Sequence, residues 1–229
     1  MIKALRPLFD LFYPPACKAC AEVLGPGEEM LCTSCRHTLP VAQLHLTTHK
    51  PIHELLYGRV NVQFAAALFR FHKKSGVQQL IHNLKYRGHE DISPFLGNWL
   101  GSELGQIPEF ESIDCVVPVP LHKLRKRKRG YNQVEGFGKK IAQKLDVPYI
   151  NNVLYRTANT RTQVFLTRFF RASDIIHSFD IRETSTLQGK HILLVDDLIT
   201  TGGTMEGCAL ALHKIQNIKI SIAVMAIAK

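Results

Sequence analysis

Two rhythms of apolar residues alternate along most of this chain. In SGVQQLIHNLKYRG the apolar positions Val77, Leu80, Ile81 and Leu84 are spaced three, one and three, which gathers them on one face of a helix. The helix is expected to stop around Lys85, Arg87 and Gly88, because cations suit the partly negative C-terminus and glycine leaves the helix easily. ISPFLGNWLGSEL predicts a second helix. NQVEGFGKKIAQKL repeats the spacing at Val134, Phe137, Ile141, Ala142 and Leu145, and MEGCALALHKI repeats it at Met205, Cys208, Ala209, Leu212 and Ile215. The other rhythm is the short continuous run. VNVQFAAALFRF (60–71) predicts a strand or two, and DCVVPVP, HILLV and ISIAVMAIA each predict a buried strand. Strands apolar on both faces belong to parallel sheets. Their alternation with helices predicts an α/β domain, a mostly parallel sheet flanked by helices.

Composition adds limits. The chain has 229 residues, 45% of them hydrophobic, enough for a packed core. No window approaches 18 uninterrupted apolar residues, and MIKALRPLFDLFYPPAC is broken by Lys3, Arg6 and Asp10. Neither a transmembrane segment nor a secretory signal is therefore expected, which points to a cytoplasmic protein.

Net charge is +10, and Lys123 to Arg129 holds six cations in seven residues. Like charges that dense call for an anion, either a nucleic-acid backbone or a phosphorylated small molecule; a solvated basic loop is the plainer alternative. Cys17, Cys20, Cys32 and Cys35 form two C-x-x-C knuckles around a turn-forming Gly25-Pro26-Gly27. Four such thiolates close a tetrahedral shell around structural Zn²⁺ and leave no position for a catalytic water. An N-terminal helix and zinc module over 1–50 and a larger domain over 51–229 are expected. Cys115 and Cys208 stand in apolar settings as inert core thiols. His37, His45, His49 and His53 are expected to be solvated.

HILLVDDLITTGGTM concentrates the chemistry. Ligands of open α/β sheets bind beyond the carboxyl ends of the strands, where Asp196 and Asp197 are expected. Gly202 and Gly203 allow a tight turn, Thr200, Thr201 and Thr204 add hydroxyls, and a helix N-terminus follows. Such a turn is a ready phosphate site. The carboxylates suit ribose hydroxyls or hydrated Mg²⁺. An ordinary acidic turn accounts for one capping aspartate, not for this whole set. Neither G-x-x-x-x-G-K-[ST] nor a post-strand G-x-G-x-x-G is present.

ILLVDDLITTGGTM resembles the 5-phosphoribosyl-1-pyrophosphate (PRPP) motif of type I phosphoribosyltransferases. VVPVPLHKLRKRKRGYNQ (116–133), the four cysteines and RTANTRTQVFL resemble blocks of the ComF family of competence proteins within that superfamily. The resemblance implies a type I phosphoribosyltransferase fold and an enzyme that binds PRPP with Mg²⁺ and displaces pyrophosphate from ribose C1. It implies Asp196 and Asp197 on the ribose hydroxyls and Thr200, Thr201, Gly202, Gly203 and Thr204 on the 5-phosphate. Arg125, Arg127 and Arg129 would face pyrophosphate, with Gly130, Tyr131, Asn132 and Gln133 ordering that loop, and Lys85 and Arg87 adding charge. Arg156, Thr160, Gln163 and Arg171 fall in a flexible loop, in which Asp174 and His177-Ser178-Phe179 depart from the family pattern. It further implies a link to DNA uptake, with other DNA-uptake proteins as partners. The alternative is a non-enzymatic module that senses PRPP or binds single-stranded DNA; the aromatics near the basic run are few, only Tyr131 and Phe137, which slightly disfavours a dedicated single-strand platform. The first cysteines are taken as metal ligands and residue 2 is Ile2, so glutamine chemistry is not expected.

Overall fold

The computed structural model describes residues 13–42, 50–121, 127, 129–157, 178–182 and 185–228. Strands β1 (Ala65–Phe71), β2 (Cys115–Pro118), β5 (His191–Ile199) and β6 (Lys219–Ala228) form a four-stranded sheet in the order β1-β6-β5-β2. Its pairs are all parallel, as the continuous apolar runs predict. β3 (Leu154–Arg156) and β4 (Phe179–Ile181) form a separate antiparallel pair.

Helices cover the sheet because each buries the stripe read from its sequence. α1 (Thr33–Thr38) lies in the cysteine module and α2 (Lys50–Leu56) precedes β1. α3 (Gly76–Tyr86) buries Val77, Leu80, Ile81 and Leu84, starts where the Ser75 hydroxyl accepts from the Gln78 N–H, and ends at Arg87. α4 (Ile92–Leu104) and α5 (Glu135–Lys144) pack closely, and α6 (Gly203–Leu212) follows β5. One apolar layer joins α3, α4 and α5 to Leu193 and Val195 of β5, together with Leu24, Leu31 and Leu39 of the cysteine module. The other joins α2 and α6 to Ile192 and Leu194. Cys115 and Cys208 are buried, and burial pushes both thiols up. They are core residues, as expected.

Among the described residues no helix is long and apolar enough to cross a membrane. His37 is exposed and His53 partly buried, while His45 and His49 lie outside the described residues.

Candidate functional site at the end of β5

Strand alternation sends the two aspartates to different faces. Asp197 is 4% exposed and enters the α3/α5 layer. There Lys85 Nζ lies 2.5 Å from its Oδ1, and Gln133 Nε2 donates to its Oδ2 at 2.5 Å. Lys85 thus sits on Asp197. Gln133 is itself placed by Ser93, whose hydroxyl donates to the Gln133 carbonyl at 2.5 Å. Gln133 Oε1 is buried with no hydrogen-bond partner among the described residues, an orphaned acceptor beside the acid.

Asp196 is half-buried, on the loop side. Burial and the neighbouring Asp197 carboxylate push its carboxyl up to about 8, against the Asp197 N–H, Lys85 and Arg156. With Leu198 to Met205, Asp196 lines a cavity of about 30 Å³. Gly202 lies in the left-handed region at φ 80°, which glycine enters without steric cost. Thr200 and Thr201 are exposed, Gly202 is buried, and Gly203 and Thr204 are half-buried at the start of α6.

The basic run is only partly described. Arg125 lies outside the described residues, and Arg127 is exposed. The Arg129 guanidinium lies 5.1 Å from the centroid of the Tyr86 ring, and Tyr86 is 65% exposed. The Tyr131 hydroxyl donates to the Leu84 carbonyl. Asn132 donates to the Val119 carbonyl at 3.4 Å and Gly130 has φ 84°. Loop and α3 are therefore tied together. Arg87 is exposed. Arg156, on β3, lies over the Phe179 ring at 5.2 Å, while Thr160, Gln163, Arg171, Asp174 and His177 fall outside the described residues.

Two residues that carry no motif border the site. Arg59 donates to both the Glu206 carboxylate, through Nε at 2.8 Å, and the Thr201 carbonyl, at 2.9 Å. Their contacts span 142 to 147 positions, so no local pattern announces them. Tyr86 was also missed, because exposure of an aromatic beside a helix end is a tertiary property.

The thiols of Cys17, Cys20, Cys32 and Cys35 lie within 4.8 Å of one another, with the Cys20 and Cys32 sulfurs 3.7 Å apart. Tetrahedral Zn²⁺ with Zn–S bonds near ~2.3 Å needs sulfurs roughly 3.8 Å apart, so this donor set fits a zinc ion. Backbone N–H groups of Cys32 and Cys35 donate to the sulfurs of Cys17 and Cys32, as metal knuckles do.

Residues 117–229 match the family model described as phosphoribosyl transferase domain. The chain is 32% identical over 103 residues to competence protein F of Haemophilus influenzae, covering 44% of this chain and 45% of the relative. It is 31% identical to the DNA utilization protein YhgH of Escherichia coli, over 55% of this chain and 56% of the relative. Competence protein ComFC of Bacillus subtilis is 25% identical over 80% of this chain and 77% of its own length. The chain thus spans about half the length of the first two relatives.

Proposed function

This chain belongs to the ComF family within the type I phosphoribosyltransferase superfamily, and from that premise we propose that it binds PRPP with Mg²⁺ and transfers the phosphoribosyl group to an acceptor. The cavity at the end of β5 carries the reading, because it sets a carboxylate beside a glycine-threonine turn at a helix N-terminus. The 5-phosphate would lie on residues 200 to 204, where amides and the helix dipole favour an anion. Ribose hydroxyls would donate to Asp196, with Asp197 fixed behind it by Lys85 and Gln133. Arg127 and Arg129 would face pyrophosphate.

The acceptor's lone pair forms the new bond to C1 as the bond from C1 to pyrophosphate oxygen breaks. The bonding pair leaves with pyrophosphate, and the acceptor gives up its proton. Positive charge grows on the ring and negative charge on the leaving group, so fixed cations beside the latter lower the barrier. Mg²⁺, when bound with PRPP, neutralises phosphate charge; half-buried Asp196 is an oxygen donor fitted to it. The four thiolates would hold structural Zn²⁺. The relatives are named for competence and DNA utilization, which supports a role in DNA uptake alongside other uptake proteins.

Calorimetric titration with PRPP and Mg²⁺ tests the reading. Wild-type protein is expected to bind and Asp196→Asn/Asp197→Asn to lose binding by at least ~10-fold. Equal affinities would end it. A screen of nucleobases for pyrophosphate release then identifies the acceptor.

One observation favours single-stranded DNA as a second ligand. Sequence alone named Tyr131 and Phe137 as the aromatics near the basic run, but Phe137 is buried and Tyr131 is tied to Leu84. Exposed Tyr86, with Arg129 stacked on it, offers the aromatic-and-cation surface on which bases stack. Oligonucleotide affinity is then expected to fall steeply with salt and in Tyr86→Ala; salt-independent binding, or none, removes this reading.

A further inference from the structure

The 5-phosphate turn is gripped from behind by a residue outside the motif. Arg59, beyond the end of α2, spends its guanidinium on three elements at once. Nη1 donates to the Leu55 carbonyl at 3.0 Å and the Thr201 carbonyl at 2.9 Å. Nε and Nη2 both meet Glu206 in the first turn of α6. The paired side chains are 33% and 11% exposed, so solvent screens them only in part. Arg59 is not on the cavity wall; it braces the turn from the far side.

This placement sets the direction of a peptide plane. Peptide bonds here are trans, and a trans peptide points its carbonyl and its N–H in opposite directions. With the Thr201 carbonyl held by Arg59, the Gly202 N–H is turned away from Arg59, toward the side lined by Asp196 and Thr200 to Met205. Packing reinforces the orientation. A Cβ on Gly202 would lie 2.9 Å from Leu56 Cδ2 and 3.3 Å from Arg59 Nη1, so α2 rests directly on the turn's backbone. The ion pair serves a second end. A bare carboxylate in the first turn of α6 would cancel the partial positive charge that an incoming phosphate needs. Arg59 neutralises it.

We infer that Arg59 is a positioning residue for phosphate binding: it locks the Thr201–Gly202 peptide in its anion-accepting orientation and masks Glu206. The inference rests on the PRPP reading above and adds to it a residue whose loss should act on one end of the substrate only. Two probes separate the ends: ribose 5-phosphate, which engages the turn, and pyrophosphate with Mg²⁺, which does not.

Calorimetry on the full chain is expected to give Arg59→Ala a ribose 5-phosphate affinity ~10- to 100-fold below wild type, the range of a lost hydrogen bond to a charged group, with pyrophosphate affinity unchanged. Arg59→Lys, which restores charge but cannot reach carboxylate and carbonyl together, should fall between. Arg59→Ala/Glu206→Gln leaves no unpaired carboxylate, guards against misfolding and should keep most of the loss. Equal ribose 5-phosphate affinity in wild type and Arg59→Ala overturns the inference. So does an equal loss for both probes, which marks general damage, and so does full recovery in the double variant. Wild-type protein that binds neither probe instead takes down the PRPP reading, and this inference with it.

Discussion

Asp196 faces a charge problem that its neighbour has solved. Asp197 has Lys85 and Gln133 on its two oxygens, whereas Asp196 meets a second acid in a partly dry setting and holds its proton up to about 8. Between the ordinary carboxylate range and that value, the folded protein keeps a proton that the unfolded chain has released. The stabilisation this gives is complete at low pH and is lost as pH rises through about 8. Asp196→Asn cannot ionise. It is therefore expected to melt like wild type near pH ~4 and higher than wild type near pH ~9, and parallel melting curves across that range would refute the assignment. Cation binding draws on the ionised form, so Mg²⁺-dependent PRPP affinity should climb over the same interval in wild type and stay flat in the variant. The DDLITTGG pattern made this acid visible in the sequence. It showed Asp197 equally; what sets the twins apart it did not show, because Lys85 reaches Asp197 across 112 positions and no local spacing shows which acid finds a cation.

Periodicity worked where elements are long. Val77 to Leu84, Phe137 to Ile141 and Met205 to Leu212 are buried as their spacing requires. β5 was expected to end with Val195, but the strand runs to Ile199, since parallel pairing of Asp196, Leu198 and Ile199 with β6 continues past the polar break. β3 and β4, of three residues each, are too short to show alternation. Packing between helices was equally hidden. α4 crosses α5 at Gly97, where a Cβ would stand 2.4 Å from the Phe137 carbonyl oxygen and 2.7 Å from its Cα. Those are backbone atoms and cannot rotate aside, so Gly97→Ala must push the helices apart at a cost of about 1–3 kcal/mol. Urea unfolding should show a lower midpoint with an unchanged slope. α5 is entered through Gln133, so PRPP affinity should fall as well, whereas a midpoint equal to wild type would mean the helices part freely.

The cysteine module is part of the foundation on which the site stands. Its first knuckle lies against α3: the Asn83 side-chain amide donates to the Lys18 carbonyl at 2.9 Å, and a Cβ on Gly76 would lie 3.2 Å from that of Ala19. Leu24, Leu31 and Leu39 enter the same apolar layer as Leu80 and Leu84. Two residues beyond Asn83, α3 presents Lys85 to Asp197. α3 is thus held by the knuckle at Gly76 and Asn83 and by the acid of the ligand site at Lys85, so what loosens the first should reach the second. Burial and the other cysteine side chains drive the Cys35 thiol up, so a metal that takes all four sulfurs as thiolates would displace its proton and close the shell. Cys20→Ser should therefore release one Zn²⁺ per chain, read by elemental analysis, and lower a single cooperative melting transition by on the order of 10 °C. PRPP affinity should weaken in parallel, through displacement of Lys85, although none of the four module cysteines lines the cavity. A variant that loses its metal and yet melts and binds like wild type would show instead that α3 keeps its place unaided, and that the module faces outward to serve something else.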